Sequence, residues 1–155
     1  MEARATWKGG YETRLEDDRG HRVVVDLPVH EGGGDVGTSA LELTVLSLAG
    51  CISTIFTLIA EKRRLPFDAL SIALTADRPT DSPTIERVCG TLTVETAAPK
   101  EEVEAALCLT MKTCPVGILL ERAHVPVEVS AVVVAPSLTR PTEFPYEIPE
   151  PEWAL

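Results

Sequence analysis

The pattern along the first part of the chain predicts three short β-strands, and the third contains the β-branched run Val23-Val24-Val25. Glycine pairs and polar turns divide the region. The predicted strands cover residues 3–8, 11–15 and 21–27, and a glycine-rich loop follows at 32–37. The chain therefore begins with a small sheet.

A single long helix is predicted next, from residue 39 to 64. Ser39 and Glu42 have the spacing of a capping box, and Pro66 ends the helix. An uncharged run of about 18 residues at 43–60 also reaches the lower length of a membrane span. The run contains several serines and threonines, and the strands around it need a covering element. We therefore expect a buried core helix and no membrane span.

The second half is predicted to contain three strands and two helices. Strands are predicted at 69–76, 85–95 and 127–134, and a helix begins at Pro99 with acidic residues in its first turn. Pro115 cannot continue that helix but suits the first position of a new one. A short helix at 116–122 is therefore predicted, with Cys114 at its N-cap.

This order of elements, β-β-β-α-β-β-α-α-β, predicts an α+β fold with mostly antiparallel sheets around a central helix. Residues 1–136 are expected to form one domain. Residues 137–155 are rich in proline and glutamate, show no apolar periodicity, and are predicted to form a C-terminal tail outside the core.

Composition and charge argue against some classes of function and indicate the compartment. The net charge of −10 gives no basic footprint for nucleic-acid binding. No apolar signal segment follows Met1, so a cytoplasmic location is predicted. The four cysteines form no C-x-x-C, and in a reducing compartment they are expected to be free thiols.

Two of the cysteines are candidates for chemistry. Cys114 lies at a predicted helix N-terminus, where backbone N–H groups and the helix dipole are expected to lower its pKa. Cys51 lies mid-helix and needs a cation or donor from elsewhere to act as a nucleophile. Both could instead be core residues, since free cysteine is commonly buried.

The sequence leaves the partners of Cys51 open. Glu42, nine residues earlier, is either a capping acid or a catalytic one. The candidate cations lie on the predicted first sheet or, from a second subunit, at the end of the long helix: Arg14, Arg19, Arg22, Arg63 and Arg64.

Other chemistry is less well supported. A zinc site from Cys108, Cys114 and His124 can be drawn, but the spacing fits no common ligand pattern, so no metal or other cofactor is predicted. Cys89 and Cys108 are interpreted as packing residues. His21 opens a strand and receives no role.

The chain resembles the OsmC/Ohr family, and its YhfA-like branch in particular. The similarity covers about residues 1–135. It rests on Arg4-x-x-Trp7, Gly20-His21, Asp26, Ser39-x-x-Glu42, Ala49-Gly50-Cys51 and Cys114-Pro115-Val116.

The resemblance implies a fold, a reaction and partners. The family fold is an intertwined α+β homodimer whose two active sites lie at the subunit interface. Cys51 corresponds to the peroxidatic cysteine, which attacks an organic hydroperoxide and becomes a sulfenic acid. Cys114 corresponds to the resolving cysteine, which condenses with it to a disulfide. A dithiol reductant, lipoyl-type or thioredoxin-like, restores both thiols.

The chain differs from the hydroperoxide-reducing members in its expected clamp residues. Their catalytic arginine directly follows a Gly-Gly pair, whereas Gly9-Gly10 is followed here by Tyr11 and the nearest cation is Arg14. Their glutamate lies ten residues before the cysteine, and Glu42 lies nine before Cys51. Three functions remain open at this stage: a thiol-dependent hydroperoxide reductase, a protein that binds an apolar small molecule, and a dimeric stress-associated structural protein.

Overall fold

The computed structural model of the chain describes residues 1–136, which form two three-stranded sheets and three α-helices. The elements in chain order are β1 (Ala3–Gly9), β2 (Glu12–Asp17), β3 (Arg22–Val25), α1 (Ala40–Arg63), β4 (Ala69–Asp77), β5 (Arg87–Glu95), α2 (Lys100–Thr113), α3 (Pro115–Arg122) and β6 (Val127–Val134). A turn of 3-10 helix, Val29–Glu31, lies between β3 and α1. The predicted tail at 137–155 lies outside the described residues.

The predicted α+β order is confirmed, and the sheets show how it is assembled. β1, β2 and β3 form one antiparallel sheet in chain order. β4 and β5 pair antiparallel in the second sheet, but β5 and β6 are parallel. β5 and β6 can be parallel because α2 and α3 lie between them in the chain. This long crossover returns the chain to the end of the sheet where β5 begins, so β6 runs in the same direction as β5.

The long central helix begins and ends as its sequence predicts. Ser39 is the N-cap of α1, and both hydrogen bonds of the capping box with Glu42 are present. The helix ends at Arg64, whose backbone is left-handed with φ 57°. One stripe of α1 is buried, at intervals of four residues: Leu48, Ile52, Phe56 and Ala60.

This stripe forms the main core together with β5 and α2. Alternate residues of β5 face it, as the period of a strand requires, and α2 adds a second apolar stripe. The facing residues are Val88, Leu92, Val94, Val103, Ala106 and Leu107. Thr110 is buried among them with its hydroxyl donating to the Ala106 carbonyl at 2.9 Å.

By length and composition α1 could cross a membrane, and so could α2 and α3 if that pair, bent by 61°, were one segment. Within the described chain α1 lies instead against α2, α3 and β4. Its other side is open. Leu46 and Leu58 on α1 are 57% and 46% exposed. The described residues of a single subunit therefore cover only part of this apolar helix.

The first sheet packs very differently from the second. No residue of β1 or β2 is buried in the described chain, and Trp7 is 70% exposed. The sheet is joined to the rest through the loop after β3. In this loop the Asp26 N–H donates to the Thr38 carbonyl at 3.1 Å.

The Asp26 side chain organises the same loop. Its buried carboxylate accepts backbone N–H groups from Leu27, Gly34 and Val36 at 2.8, 2.9 and 3.3 Å. Burial raises the pKa of Asp26, but these N–H donors outweigh that effect and hold it below its usual range. These hydrogen bonds hold the backbone of the loop that leads from β3 to α1.

Candidate active site

Two cysteines that are 63 residues apart in the sequence meet at one point of the core. Cys51 lies in the middle of α1 and is half-buried, whereas Cys114 lies between α2 and α3 and is completely buried. Their Sγ atoms are 3.1 Å apart, within hydrogen-bond distance for sulfur. The two thiols form a pair reached from the exposed side of α1 through Cys51.

The break between α2 and α3 positions Cys114. Pro115 lacks an N–H and occupies the first position of α3, so the chain turns at residue 114. The Cys114 N–H still donates to the Thr110 carbonyl at 2.8 Å and ends α2. Its Sγ accepts the Gly117 N–H at 3.4 Å and thereby caps α3. One residue closes one helix and opens the next.

Gly117 lies directly against this thiol. A Cβ atom added there would lie 3.4 Å from the Cys114 Cβ, 3.6 Å from its Sγ and 3.9 Å from Leu48 Cδ1. These are ordinary van der Waals distances, so residue 117 packs directly against the thiol and a methyl group would fit there. Sequence reasoning did not identify Gly117, and its position three residues after the predicted N-cap was the available signal.

The pKa of Cys114 is raised, not lowered as its helix position predicted. Burial is the main cause and the neighbouring Cys51 adds to it, so the pKa rises to about 11. The N–H groups of Gly117 and Val116 act in the opposite direction but do not outweigh burial. At neutral pH the proton stays on Cys114, which donates its S–H to the Cys51 sulfur.

Glu42 is occupied as a helix cap. Its carboxylate accepts the Ser39 N–H at 2.8 Å and the Thr38 hydroxyl at 3.3 Å. The hydrogen bonds from Ser39 contribute most to holding the pKa of Glu42 below its usual range. Glu42 is nine residues before Cys51 on α1, about 13 Å along the helix axis, so within one chain it does not reach the thiols.

Arg14 lies on the first sheet, in β2. Its guanidinium is 3.8 Å from the Glu12 carboxylate, and it lines a small surface groove of about 250 Å³ with Thr6 and Lys8. Because β1–β3 pack with each other and not on α1, a single chain does not bring Arg14 to Cys51.

His21 and Asp17 stabilise the turn between β2 and β3. The His21 ring is 2.9 Å from the Asp17 carboxylate, which also accepts the backbone N–H groups of His21 and Arg19. The side-chain hydrogen bond with His21 is the main reason that the pKa of Asp17 lies far below its usual value. These contacts are consistent with a structural role for His21.

The packing role expected for Cys89 and Cys108 is wrong for the single chain, because both are exposed. Cys89 lies on the outer face of β5, and Cys108 lines a surface groove between α2, α3 and β6. Neither is placed with the Cys51 pair. Among residues 1–136, no three or more His, Cys, Asp or Glu side chains are grouped so as to hold a metal ion.

A larger groove lies beside the start of α1 and was not predicted from the sequence. Its volume is about 780 Å³, and it runs between the loop before α1 and the edge strand β4. Half of its lining residues are apolar, and Glu42 is among the others; the apolar ones are Val36, Val45, Leu46, Leu74 and Ala76.

The fold is similar to several solved structures. An OsmC-like protein from Mycoplasma pneumoniae is 16% identical with a TM-score of 0.76, covering 86% of this chain and 96% of its own. An organic hydroperoxide resistance protein from Legionella pneumophila is 21% identical with a TM-score of 0.69, covering 85% and 96%. One from Elizabethkingia anophelis is 17% identical with a TM-score of 0.67, covering 85% and 94%.

A search of curated proteins found no match. The family model described as OsmC-like protein matches residues 32–130, a region that includes α1, both thiols and most of the second sheet. With this match and the shared fold, the chain belongs to the OsmC-like protein family.

Proposed function

We propose that this protein reduces organic hydroperoxides with the thiol pair Cys51 and Cys114. The 3.1 Å contact between their sulfur atoms carries the proposal, because a disulfide needs the sulfurs to approach by only about 1 Å more. Two structural relatives are described as organic hydroperoxide resistance proteins, which supports the substrate class.

In the proposed cycle the Cys51 thiolate attacks the O–O bond, an alcohol leaves, and Cys51 becomes a sulfenic acid. Cys114 then attacks that sulfur, and water leaves as the disulfide forms. A dithiol of the lipoyl or thioredoxin type returns both residues to thiols by exchange. Cys51 is the attacking residue because it is the more accessible of the two. The cycle suits the reducing cytoplasm, where we place the protein.

The active unit is proposed to be a homodimer. In residues 1–136 of one subunit the exposed side of α1 contains Leu46, Gly50 and Leu58, and no residue of β1 or β2 is buried. A second copy can cover both surfaces. It can also bring the Arg14 guanidinium of one subunit towards Cys51 of the other, where a cation favours the thiolate. Glu42 would then act by fixing the start of α1.

The test uses a Cys89→Ser/Cys108→Ser background, so that only the paired thiols are counted. One equivalent of tert-butyl hydroperoxide should remove both thiols of each subunit. Cys51→Ser in that background should abolish hydroperoxide consumption. Cys114→Ser should permit one turnover and leave a sulfenic acid that dimedone labels. If the background protein leaves the hydroperoxide untouched while both thiols titrate as free, the proposal is wrong.

The groove beside α1 favours a second candidate function, the binding of an apolar small molecule. Its volume of about 780 Å³ lies in the range of ligand pockets, and five apolar side chains line it. An environment-sensitive apolar dye should then bind with one site per subunit. Leu74→Glu should abolish dye binding and leave thiol oxidation unchanged, whereas Leu119→Glu on the exposed face of α3 is the matched control.

A further inference from the structure

The cleavage of a hydroperoxide needs a proton donor as well as a nucleophile. The leaving alkoxide is a much stronger base than a thiolate, so its departure is faster when an acid in the site protonates it. The sulfur of Cys51 is hydrogen-bonded to one acid in the described chain, the S–H of Cys114 at 3.1 Å. A group that close to the nucleophile can touch the same hydroperoxide.

The histidines are not placed for this task within one subunit. His21 is held by Asp17 on the first sheet, His30 lies in the loop before α1, and His124 follows α3. All three are exposed in the described chain. Cys114, in contrast, is completely buried and is held by Gly117 in contact with Cys51.

We infer that Cys114 is the general acid of the first step, before it acts as the resolving thiol. This inference rests on the proposed hydroperoxide reduction. Burial supports it, because a thiol whose pKa is raised to about 11 keeps its proton at neutral pH until a stronger base arrives.

The first step requires only the hydroperoxide, the Cys51 thiolate and the Cys114 thiol. A lone pair of the Cys51 thiolate forms an S–O bond to the terminal oxygen of the hydroperoxide. The O–O bond breaks, and its electron pair leaves with the alkoxide. The alkoxide takes the proton of Cys114 and departs as an alcohol. Cys51 has been oxidised by two electrons to the sulfenic acid, and Cys114 is now a thiolate.

The same transfer prepares the second step. The Cys114 thiolate attacks the sulfur of the Cys51 sulfenic acid, the S–O bond breaks, and the hydroxide takes a proton from solvent to form water. The new negative charge arises at the N-terminus of α3, where the Gly117 N–H already points at the sulfur from 3.4 Å. A thiol that is too buried to ionise on its own is ionised by the chemistry of its neighbour.

The experiment compares oxidants with different leaving groups. tert-Butyl hydroperoxide releases a basic alkoxide that needs a proton, whereas peracetic acid releases acetate, which does not. The rate of sulfenic acid formation at Cys51 is measured in a single turnover, by quenching into dimedone and mass spectrometry. The proteins are the Cys89→Ser/Cys108→Ser background and its Cys114→Ala and Cys114→Ser variants, each at the plateau of its pH–rate profile.

With tert-butyl hydroperoxide, Cys114→Ala should slow the first step by about 100-fold, the lower range for loss of a general acid. With peracetic acid the same variant should react as fast as the background. The ratio of the two rates is the readout, because a change in the reactivity of Cys51 affects both oxidants alike. Cys114→Ser, which keeps a weaker O–H acid in the same place, should give an intermediate ratio.

An unchanged ratio in Cys114→Ala would overturn the inference and leave Cys114 as a resolving thiol only, with the proposed function intact. Equal slowing with both oxidants would also overturn it, since that result indicates a positioning effect on Cys51. If the background protein reacts with peracetic acid but not with the alkyl hydroperoxide, the proposed function itself fails and the inference fails with it. Circular dichroism of both variants excludes misfolding as the cause of a slow rate.

Discussion

The two sheets each have three strands, but within residues 1–136 only the second sheet packs on a buried apolar core. The second sheet, β4–β6, lies under α1, α2 and α3 and buries Val88, Leu92 and Val94 completely. The first sheet, β1–β3, buries almost nothing and is held together by hydrogen bonds and surface ion pairs. Such ion pairs contribute little to stability, so within residues 1–136 the first sheet lacks the apolar burial that stabilises the second.

The candidate catalytic residues are also distributed between these two parts of the chain. The thiol pair lies in the part of the chain with a buried core, whereas Arg14 lies in β2, no residue of which is buried in the described chain. The described residues of one subunit form the contact between Cys51 and Cys114, whereas the proposed contribution of Arg14 to the thiolate requires a second copy. Activity should follow assembly, and the integrity of the thiol pair should not.

The largest effect on the free energy of unfolding is expected in the core between the second sheet and the helices. Phe56 is fully buried on α1, and its ring meets Phe67 edge-on at a centroid distance of 6.2 Å. Phe56→Ala should lower the free energy of unfolding by about 3–5 kcal/mol, because a large buried side chain leaves a cavity. Denaturant titration measures the loss. Val23→Ala in β3, at a half-exposed apolar position of the first sheet, is the control and should cost much less in a single subunit.

A charge on the open side of α1 should separate the subunits. Leu58→Asp places a carboxylate at a position that is 46% exposed in one chain and is proposed to be covered in the dimer. We expect the sedimentation coefficient to fall to that of a monomer, or the protein to unfold if the dimer is obligate. Leu119→Asp on α3, where the side chain is 65% exposed, should leave assembly unchanged. Wild-type protein that sediments as a stable, folded monomer at micromolar concentration would contradict the proposed dimer.

Removing the cation should slow chemistry without disturbing the core. If the Arg14 guanidinium of one subunit supports Cys51 of the other, Arg14→Ala should slow sulfenic acid formation tenfold or more, about 1.4 kcal/mol for each factor of ten. Arg4→Ala in β1, which removes another exposed arginine of the same sheet, is the control. Equal rates of sulfenic acid formation in the two variants would show that Arg14 does not support Cys51.

Acid should loosen the loop that joins the two regions. The folded pKa of Asp26 lies below its unfolded value of about 3.9, so its contribution to stability is present above that pH and is lost as the pH falls through the folded pKa. Asp26→Asn cannot make this change. The melting temperature of the wild type should therefore fall more steeply than that of Asp26→Asn between about pH 5 and pH 3. Parallel slopes for the two proteins would show that other carboxylates control the acid response.

The sequence predicted the elements better than their assembly. The capping box at Ser39 and the strand at 127–134 are local patterns, and both appear where they were expected. The parallel direction of β6 was not predicted, because alternation reveals a strand but not the direction of its neighbour. Local reasoning also gave the wrong direction for the pKa of Cys114, since it included the helix N-terminus but not the burial that tertiary packing imposes.

The candidate site shows the same division. The break at Pro115 could be located from the sequence, but only the resemblance to a family linked Cys114 to Cys51. The exposure of Cys89 and Cys108 depends on which face of β5 and α2 is covered, and their own periodicity does not decide this. Gly117 has no side chain that sequence patterns could identify, and its contact with the Cys114 thiol is visible only in the structure.

The smallest effect is expected from the C-terminal tail. Ending the chain after Pro136 removes residues whose composition predicts no core contribution, and it leaves β6 complete with its pairing to β5. The melting temperature should therefore change by no more than about 2 °C, the scale of a surface change of 0.5 kcal/mol in a domain of this size. Ending the chain before Val127 is the contrasting control, since it removes β6 from the sheet and should abolish folding. A large loss on removing the tail alone would show that it supplies part of the cover that the first sheet and α1 lack.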